Sequence, residues 1–102
     1  MGWHMSNFTI DQTVKIPCEV QRGAFPTELL VTFDTAEGPV SGFVRKESVE
    51  GIEGHEGFIR ATVTAVSSDT ITVMVQGSFF TTTGLAYFRR DWANSHVHPA
   101  HA

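Results

Sequence analysis

The sequence predicts a small all-β protein whose strands curl into a barrel and whose C-terminal part forms a short helix or helical turn. Two observations lead to this fold class. Segments in which apolar and polar residues alternate recur along the chain, and a period of two is typical of strands with one buried face. Short stretches rich in Gly, Ser, Pro and Asp separate these segments, as turns between strands do.

The first alternating segments predict a strand followed by a hairpin. The stretch TVKIPCEVQ places Val14, Ile16 and Cys18 on one face. Pro17 interrupts it without a backbone N–H, which favours a sheet edge or a bulge. The next two strands, ELLVTFDT and PVSGFVRK, are joined by AEG, where Gly38 can take the positive φ of a tight turn.

The middle of the chain predicts an exposed acidic loop and then a second pair of strands. ESVEGIEGHEG (residues 47–57) holds three glycines and four glutamates, so it offers little to bury. FIRATVTAV and TITVMVQG are rich in β-branched residues and are joined by the turn composition SSD. Alternation also places Ala61 and Ala65 on the inner face of the first of these strands. The predicted core comprises Val14, Ile16, Val20, Leu29, Val31, Phe33, Val40, Val44, Ile59, Val63, Ile71, Val73 and Val75.

The stretch GSFFTTTGLAYFRRDW, residues 77–92, is the most aromatic part of the chain. Leu85, Phe88 and Trp92 lie at the i, i+3, i+7 spacing of a helix. Over residues 83–93 the sequence therefore favours a short helix, with a final strand through LAYF as the alternative. Such a segment would cover one open end of a barrel.

The number and order of these elements favour an SH3-like barrel of five to six strands, with an OB-like barrel as the alternative. A long first loop, a tight hairpin, an acidic loop, a second hairpin and a closing segment follow one another in that order. The stretch SGFVRKESV (residues 41–49) resembles the Gly-Trp-Val strand of bacterial SH3-type modules, with Phe43 in place of the Trp. No functional residue is transferred from this resemblance.

Size and composition indicate one domain. A chain of 102 residues, 41% of them hydrophobic, can bury one core but not a core and a large enclosed active site. Residues 1–4 precede a natural-looking start and are expected to be vector-derived. Residues 5–94 are expected to form the domain, and residues 95–102 a disordered tail. We expect a cytoplasmic protein, because no apolar run suits a membrane, no signal peptide is apparent and Cys18 has no disulfide partner. The expected module is bacterial in style.

No pattern in the sequence indicates an enzyme, a cofactor or a metal site. Nucleophile motifs, phosphate-binding loops and dinucleotide fingerprints are absent from it. Cys18 falls on an apolar strand face, where a thiol is inert. His96, His98 and His101 form an H-x-H-x-x-H pattern, but a flexible tail does not hold ligands in the geometry of a metal. His55 lies in the acidic loop without a partner nucleophile.

We therefore expect a non-enzymatic binding or interaction module that acts through an aromatic patch. The chain has eight Phe, two Trp and one Tyr, more than the inner faces of five short strands need. The candidate interface residues are Phe25, Phe79, Phe80, Tyr87 and Trp92. The expected partner is another protein or a second copy of the chain, giving an oligomer.

Two alternatives to this function stay open. Arg45, Lys46, Arg89 and Arg90 form two basic pairs that follow aromatic residues, as in small barrels that bind single-stranded nucleic acid. A net charge of −4 and a pI near 5.6 disfavour that partner, because phosphate binding depends on a basic surface. The other alternative is a small-ligand pocket or weak enzyme formed between subunits.

Overall fold

The computed structural model describes residues 8–75, the backbone of residues 78 and 79, and residues 85–100. Within these ranges the chain forms nine strands, one short α-helix and one 3-10 turn. The strands are β1 (Thr13–Arg22), β2 (Glu28–Thr35), β3 (Gly38–Arg45), β4 (Val49–Glu53), β5 (Glu56–Val66), β6 (Thr70–Val75), β7 (Ser78–Phe79), β8 (Leu85–Arg89) and β9 (His98–Pro99). The helix α1 comprises Arg90–His96, and the 3-10 turn comprises Lys46–Ser48.

The strands form one antiparallel sheet that curls into a half-barrel. Its order is β7-β3-β2-β1-β5-β6-β8, with β4 beside β5 and β9 beside β1. The predicted all-β, barrel-like fold class with a short C-terminal helix is confirmed. The described strands outnumber the five to six predicted, because β4, β7 and β9 are short and carry no alternating pattern. Within the described ranges, no helix is long and apolar enough to cross a bilayer.

The hairpin of β2 and β3 forms where the sequence predicts it. The two strands pair continuously from Glu28 opposite Arg45 to Thr35 opposite Gly38. Gly38 has a φ of 109°, which L side chains rarely adopt, so glycine permits the tight turn. The two ends of this hairpin are about 23 Å apart, since seven residue steps of a strand each rise about 3.3 Å.

The core fills the concave face of the sheet, and the predicted core is confirmed. Its members are buried, except that Leu29 and Val40 are half-buried and pack against the others. The core further includes Phe8, Cys18, Val49, Ala61, Ala86, Phe88, Ala93 and Val97. Ala65 is exposed, against the prediction, because the pairing of β5 with β6 shifts register between Val63 and Ala65. Such a shift reverses the face on which later side chains lie, and Val66 packs against the core instead.

The acidic segment, residues 47–57, is exposed over residues 51–56 as predicted, but it forms strands and a turn in place of the predicted loop. It contains β4, which pairs with β5 and buries Val49 in the core. Gly51 and Gly54 have positive φ angles, so they permit the irregular pairing and the turn of a hairpin. At Gly57 a Cβ atom would lie 2.9 Å from Cγ1 of Val49, so glycine lets the two strands approach closely.

The sequence favours a helix over residues 83–93. This prediction is wrong for residues 85–89, which form the strand β8 that the sequence offers as the alternative. In β8, Ala86 and Phe88 point into the core while Tyr87 is exposed, and the strand pairs with β6. The helix α1 follows directly and carries Trp92. The helix-like spacing of Phe88 and Trp92 therefore spans a junction between a strand and a helix.

The C-terminal residues 95–100 differ from the disordered tail that the sequence predicts. Val97 is 2% exposed and belongs to the core. The chain then returns to β1, where β9 pairs with Val14 and Lys15, and the N–H of Ala100 donates to the carbonyl oxygen of Thr13 at 2.9 Å. A single apolar residue among polar ones creates no periodic pattern, so the sequence does not reveal this docking. The residues expected to be vector-derived, 1–4, lie outside the described residues, as do residues 101 and 102.

Candidate functional site

Three rings stack where β8 continues into α1. The rings of Phe88 and Trp92 have centroids 5.3 Å apart with planes 10° from parallel, and those of Trp92 and His96 are 4.6 Å apart at 11°. Residues four apart on a helix share one face, which places His96 over Trp92. The Nδ1–H of His96 also donates to the carbonyl oxygen of Trp92 at 2.9 Å. The stack leads from the core, where Phe33 lies 6.0 Å from Phe88, to the surface, where His96 is exposed.

A cleft of about 410 Å³ lies beside this stack. The β2–β3 turn forms its opposite wall, and the N–H of Ala36 donates to the carbonyl oxygen of Tyr87 at 2.7 Å, which holds that wall against β8. Polar side chains at its rim come from Asp34, Arg89 and Asp91. The cleft therefore combines an aromatic wall with a polar rim, as ligand and partner sites do.

A second cleft, of about 550 Å³, opens where β1 and β2 separate. The two strands pair only from Glu19 to Arg22 of β1, and the preceding residue pair, Pro17 and Cys18, lines the cleft. Pro17 has no N–H to donate to a neighbouring strand, which suits a position where one edge of β1 is open. Asp34 and Trp92 line both clefts, and we call the combined feature the Trp92 groove.

Carboxylates dominate the charge of the second cleft. Its lining includes Glu19, Asp34, Glu53 and Glu56, and neither Lys nor Arg contributes to it. All four carboxylates are exposed, and among the described residues none of them forms an ion pair. In the first cleft, the charge of Arg89 is offset by Asp91, with Nε and Oδ1 3.7 Å apart. The groove therefore presents a net negative charge.

The structure does not gather the predicted aromatic patch into one surface. Trp92 lies in the groove, and Tyr87 is exposed on the outer face of β8 near the β2–β3 turn. Phe25 is 64% exposed but follows β1 beyond the other end of the hairpin, about 23 Å away by the rise of β2. The backbone of Phe79 pairs with Gly42 of β3. The side chain of Phe79 and the whole of Phe80 lie outside the described residues.

The four basic residues proposed for nucleic-acid binding form two separate pairs, one at the open end of the β2–β3 hairpin and one in β8 and α1 near its turn. Arg45 ends β3, and Lys46 follows it near Thr27, whose carbonyl oxygen accepts from the N–H of Lys46. Arg89 and Arg90 are at the junction of β8 and α1, where Arg90 Nη1 donates to the carbonyl oxygen of Ser67 at 2.9 Å. The two pairs therefore form no continuous basic track of the kind that follows a phosphate backbone.

Cys18 lines the groove but is chemically quiet. Its side chain is 7% exposed, and burial raises the pKa of its thiol to about 11. The thiolate, which is the nucleophilic form, is therefore scarce at neutral pH. Within the described ranges no three His, Cys, Asp or Glu side chains are placed to hold a metal ion. His98 packs edge-on against Phe58 with centroids 5.9 Å apart, and His101 lies outside those ranges.

A separate charged cluster lies outside the groove on the outer faces of β1, β4 and β5. Glu50 accepts a hydrogen bond from Nε of Arg60 and lies 3.3 Å from Nζ of Lys15. The hydrogen bond from Arg60, aided by Lys15, lowers the pKa of the Glu50 carboxyl. This cluster joins three strands and has no side chain in the Trp92 groove.

The sequence predicts Trp92 as an interface residue but does not reveal the residues that lie beside it in the groove. Phe88, Trp92 and His96 are spaced four residues apart. This spacing indicates a stack only if residue 96 is part of a helix, and the sequence predicts a tail from residue 95 onwards. Asp34 and the carboxylates at Glu53 and Glu56 are distant in sequence and meet the stack only through the curl of the sheet.

Comparisons with protein-family models, with curated proteins and with solved structures returned no match to this chain. The interpretation of the groove depends on its own geometry and charge.

Proposed function

We propose that this chain is a small non-enzymatic binding domain that holds a protein partner in the Trp92 groove. The observation that supports this function is the aromatic stack of Phe88, Trp92 and His96, which emerges from the core beside two open clefts. Rigid aromatic side chains in concave sites are the usual anchors of protein interfaces. The domain is proposed to reside in the cytoplasm, where the reduced Cys18 needs no partner.

The stack is better placed for binding than for stability alone. Phe88 is 1% exposed and belongs to the core, whereas Trp92 is half-buried and His96 is exposed. Half of the stack therefore meets solvent along the groove, and a partner that covers it would remove apolar surface from water. A catalytic role has less support, because the thiol of Cys18, which lines the groove, is buried and its pKa is raised.

The proposal is tested by selecting ligands from a random peptide library displayed on phage, with the purified domain as the target. Selected peptides are then made synthetically and titrated against the parent, Trp92→Phe, His96→Ala and Phe25→Ser. We expect affinity to fall about tenfold or more for the first two variants, as at interface hot spots, and to change less than about twofold for Phe25→Ser.

Melting temperatures of the three variants provide the control for folding. His96 and Phe25 are exposed, so these variants should melt like the parent. Peptides that lose affinity with Phe25→Ser and keep it with His96→Ala and Trp92→Phe would contradict the proposal and move the binding site to the opposite end of the molecule.

A further inference from the structure

We infer that the segment held in the Trp92 groove is a basic peptide, whose Arg or Lys side chains lie along the aromatic stack and reach the carboxylates of the second cleft. This inference rests on the proposed function, that the groove binds a protein partner. It adds the chemistry of that partner.

Charge complementarity is the first argument. Glu19, Asp34, Glu53 and Glu56 line one cleft, and no Lys or Arg lines it. Among the described residues these carboxylates have no ion-pair partner, and all seven Lys and Arg of the chain are described. Cations from another molecule can therefore approach without displacing an internal ion pair. Complementary potentials of this kind select partners and speed their association.

The shape of the groove is the second argument. Lys and Arg side chains have a long apolar stem that ends in a charged head. The groove offers an aromatic surface for the stem and carboxylates for the head. Trp92 lines both clefts, Phe58 also lines the second one, and the carboxylates of the second cleft are exposed. A stem that packs against Trp92 places its cation toward Asp34, which lines both clefts.

Other ligands of an acidic groove fit less well. A divalent metal needs several oxygens within one coordination shell, and the described residues hold no such group of acidic or imidazole side chains. A nucleic acid would bring phosphates toward the carboxylates, which like-charge repulsion opposes. An extended basic peptide can spread its cations over separated carboxylates, and the residues that line the two clefts extend from β5 to α1.

The test uses the full chain with Trp3→Phe, which leaves Trp92 as its one tryptophan. Three synthetic peptides serve as probes: one that alternates Gly and Arg, one that alternates Gly and Glu, and one that alternates Gly and Ser. Binding is measured by isothermal titration and by the fluorescence of Trp92. We expect the Gly-Arg peptide to bind and shift that emission, and the other two to bind at least about tenfold more weakly, the discrimination that a few desolvated charges provide.

Two double variants with the same net charge distinguish binding in the groove from nonspecific attraction of a cationic peptide to an acidic protein. Glu53→Gln with Glu56→Gln removes two groove carboxylates, and Glu28→Gln with Glu47→Gln removes two at the opposite end of the hairpin. We expect the groove pair to weaken the Gly-Arg peptide about tenfold and to lower the salt dependence of its affinity, and the control pair to weaken it less than about twofold.

Three results would overturn the inference. Equal losses in the two double variants would show diffuse attraction, and failure of the Gly-Arg peptide to bind would show that the groove does not accept cations. Binding of the Gly-Ser or Gly-Glu peptide at the same affinity as Gly-Arg would show that charge does not select the partner. None of these results removes the proposed function, which falls only if peptides selected from the random library bind independently of Trp92 and His96.

Discussion

Truncation of Phe88 tests whether β8 turns alternate side chains into the core. The Phe88 side chain is 1% exposed, and its ring contacts Phe33 on the core side and Trp92 on the groove side. Replacing a buried Phe with Ala removes its transfer free energy and leaves a cavity, which together cost about 3–5 kcal/mol. Each ring pair contributes about 0.5–1.5 kcal/mol of its own. We therefore expect the loss of stability in Phe88→Ala to lie in the upper half of the range of about 3–5 kcal/mol.

Tyr87→Ala is the matched control, because it changes the neighbouring residue on the opposite face of β8. Tyr87 is 37% exposed, and its carbonyl oxygen, which accepts from Ala36, is kept in the variant. We expect a loss of no more than about 1 kcal/mol.

Urea unfolding followed by circular dichroism gives the free energy of unfolding for both variants and the parent. The midpoint temperature in a thermal melt should fall by at least about 16 °C for Phe88→Ala, because a loss of about 4 kcal/mol or more lowers it by about 4 °C per kcal/mol in a domain of this size. Equal losses in the two variants would refute the alternation along β8. A loss below about 1 kcal/mol for Phe88→Ala would refute its place in the core.

Three further predictions test other parts of the structure. The thiol of Cys18 should react with a disulfide reagent at pH 8 about a hundredfold or more slowly in the folded protein than in urea, because a pKa of about 11 leaves little thiolate; equal rates would show an accessible thiol. Val97→Ala should cost about 2 kcal/mol in urea unfolding, from the loss of two buried methyl groups, and an unchanged midpoint would return residues 95–100 to a disordered tail. Glu50→Gln should lower stability at pH 7, and the difference should shrink as the pH falls from about 4.3 through the lowered pKa of the folded protein, because a carboxyl whose pKa is lowered on folding stabilises only while it is ionised; a difference that does not shrink as the pH falls would contradict the ion pairs with Arg60 and Lys15.

The sequence predicts the central strands well because alternation reports directly on a sheet with one buried face. Val14 and Ile16 in β1 and Val73 in β6 are fully buried, and the turn at Gly38 carries its own backbone requirement. These features are local, so a single segment contains the information that specifies them.

The errors arise where an element is stabilised by distant contacts. Gly51 and Gly54 suggest a loop, yet pairing with β5 holds them in a hairpin. Val97 has no apolar neighbour in the sequence that would mark it, and the core accepts it only because the chain returns to β1. Tertiary contacts override local pattern in both segments.

In the candidate site, too, one residue is predicted from its local sequence, while the others come together through distant contacts. Trp92 was predicted as an interface residue from its aromatic surroundings. The residues that line the groove with Trp92 could not be predicted, because Asp34 belongs to β2 and Glu56 to β5. Both line the second cleft, which opens where β1 and β2 separate. Phe25, predicted for the same patch, lies at the far end of the hairpin, a distance that only the register of β2 and β3 defines.

Binding of a basic peptide in the Trp92 groove can be located residue by residue in a two-dimensional ¹H–¹⁵N NMR titration of the labelled protein with the Gly-Arg peptide. We expect the shifting signals to cluster on the groove, at the indole N–H of Trp92 and the amides of Ala36, Gly57 and His96, and the amide of Phe25 to stay unchanged. Shifts centred on Phe25, or small shifts spread evenly over the sheet, would contradict the inference that the Trp92 groove is the site that binds a basic peptide.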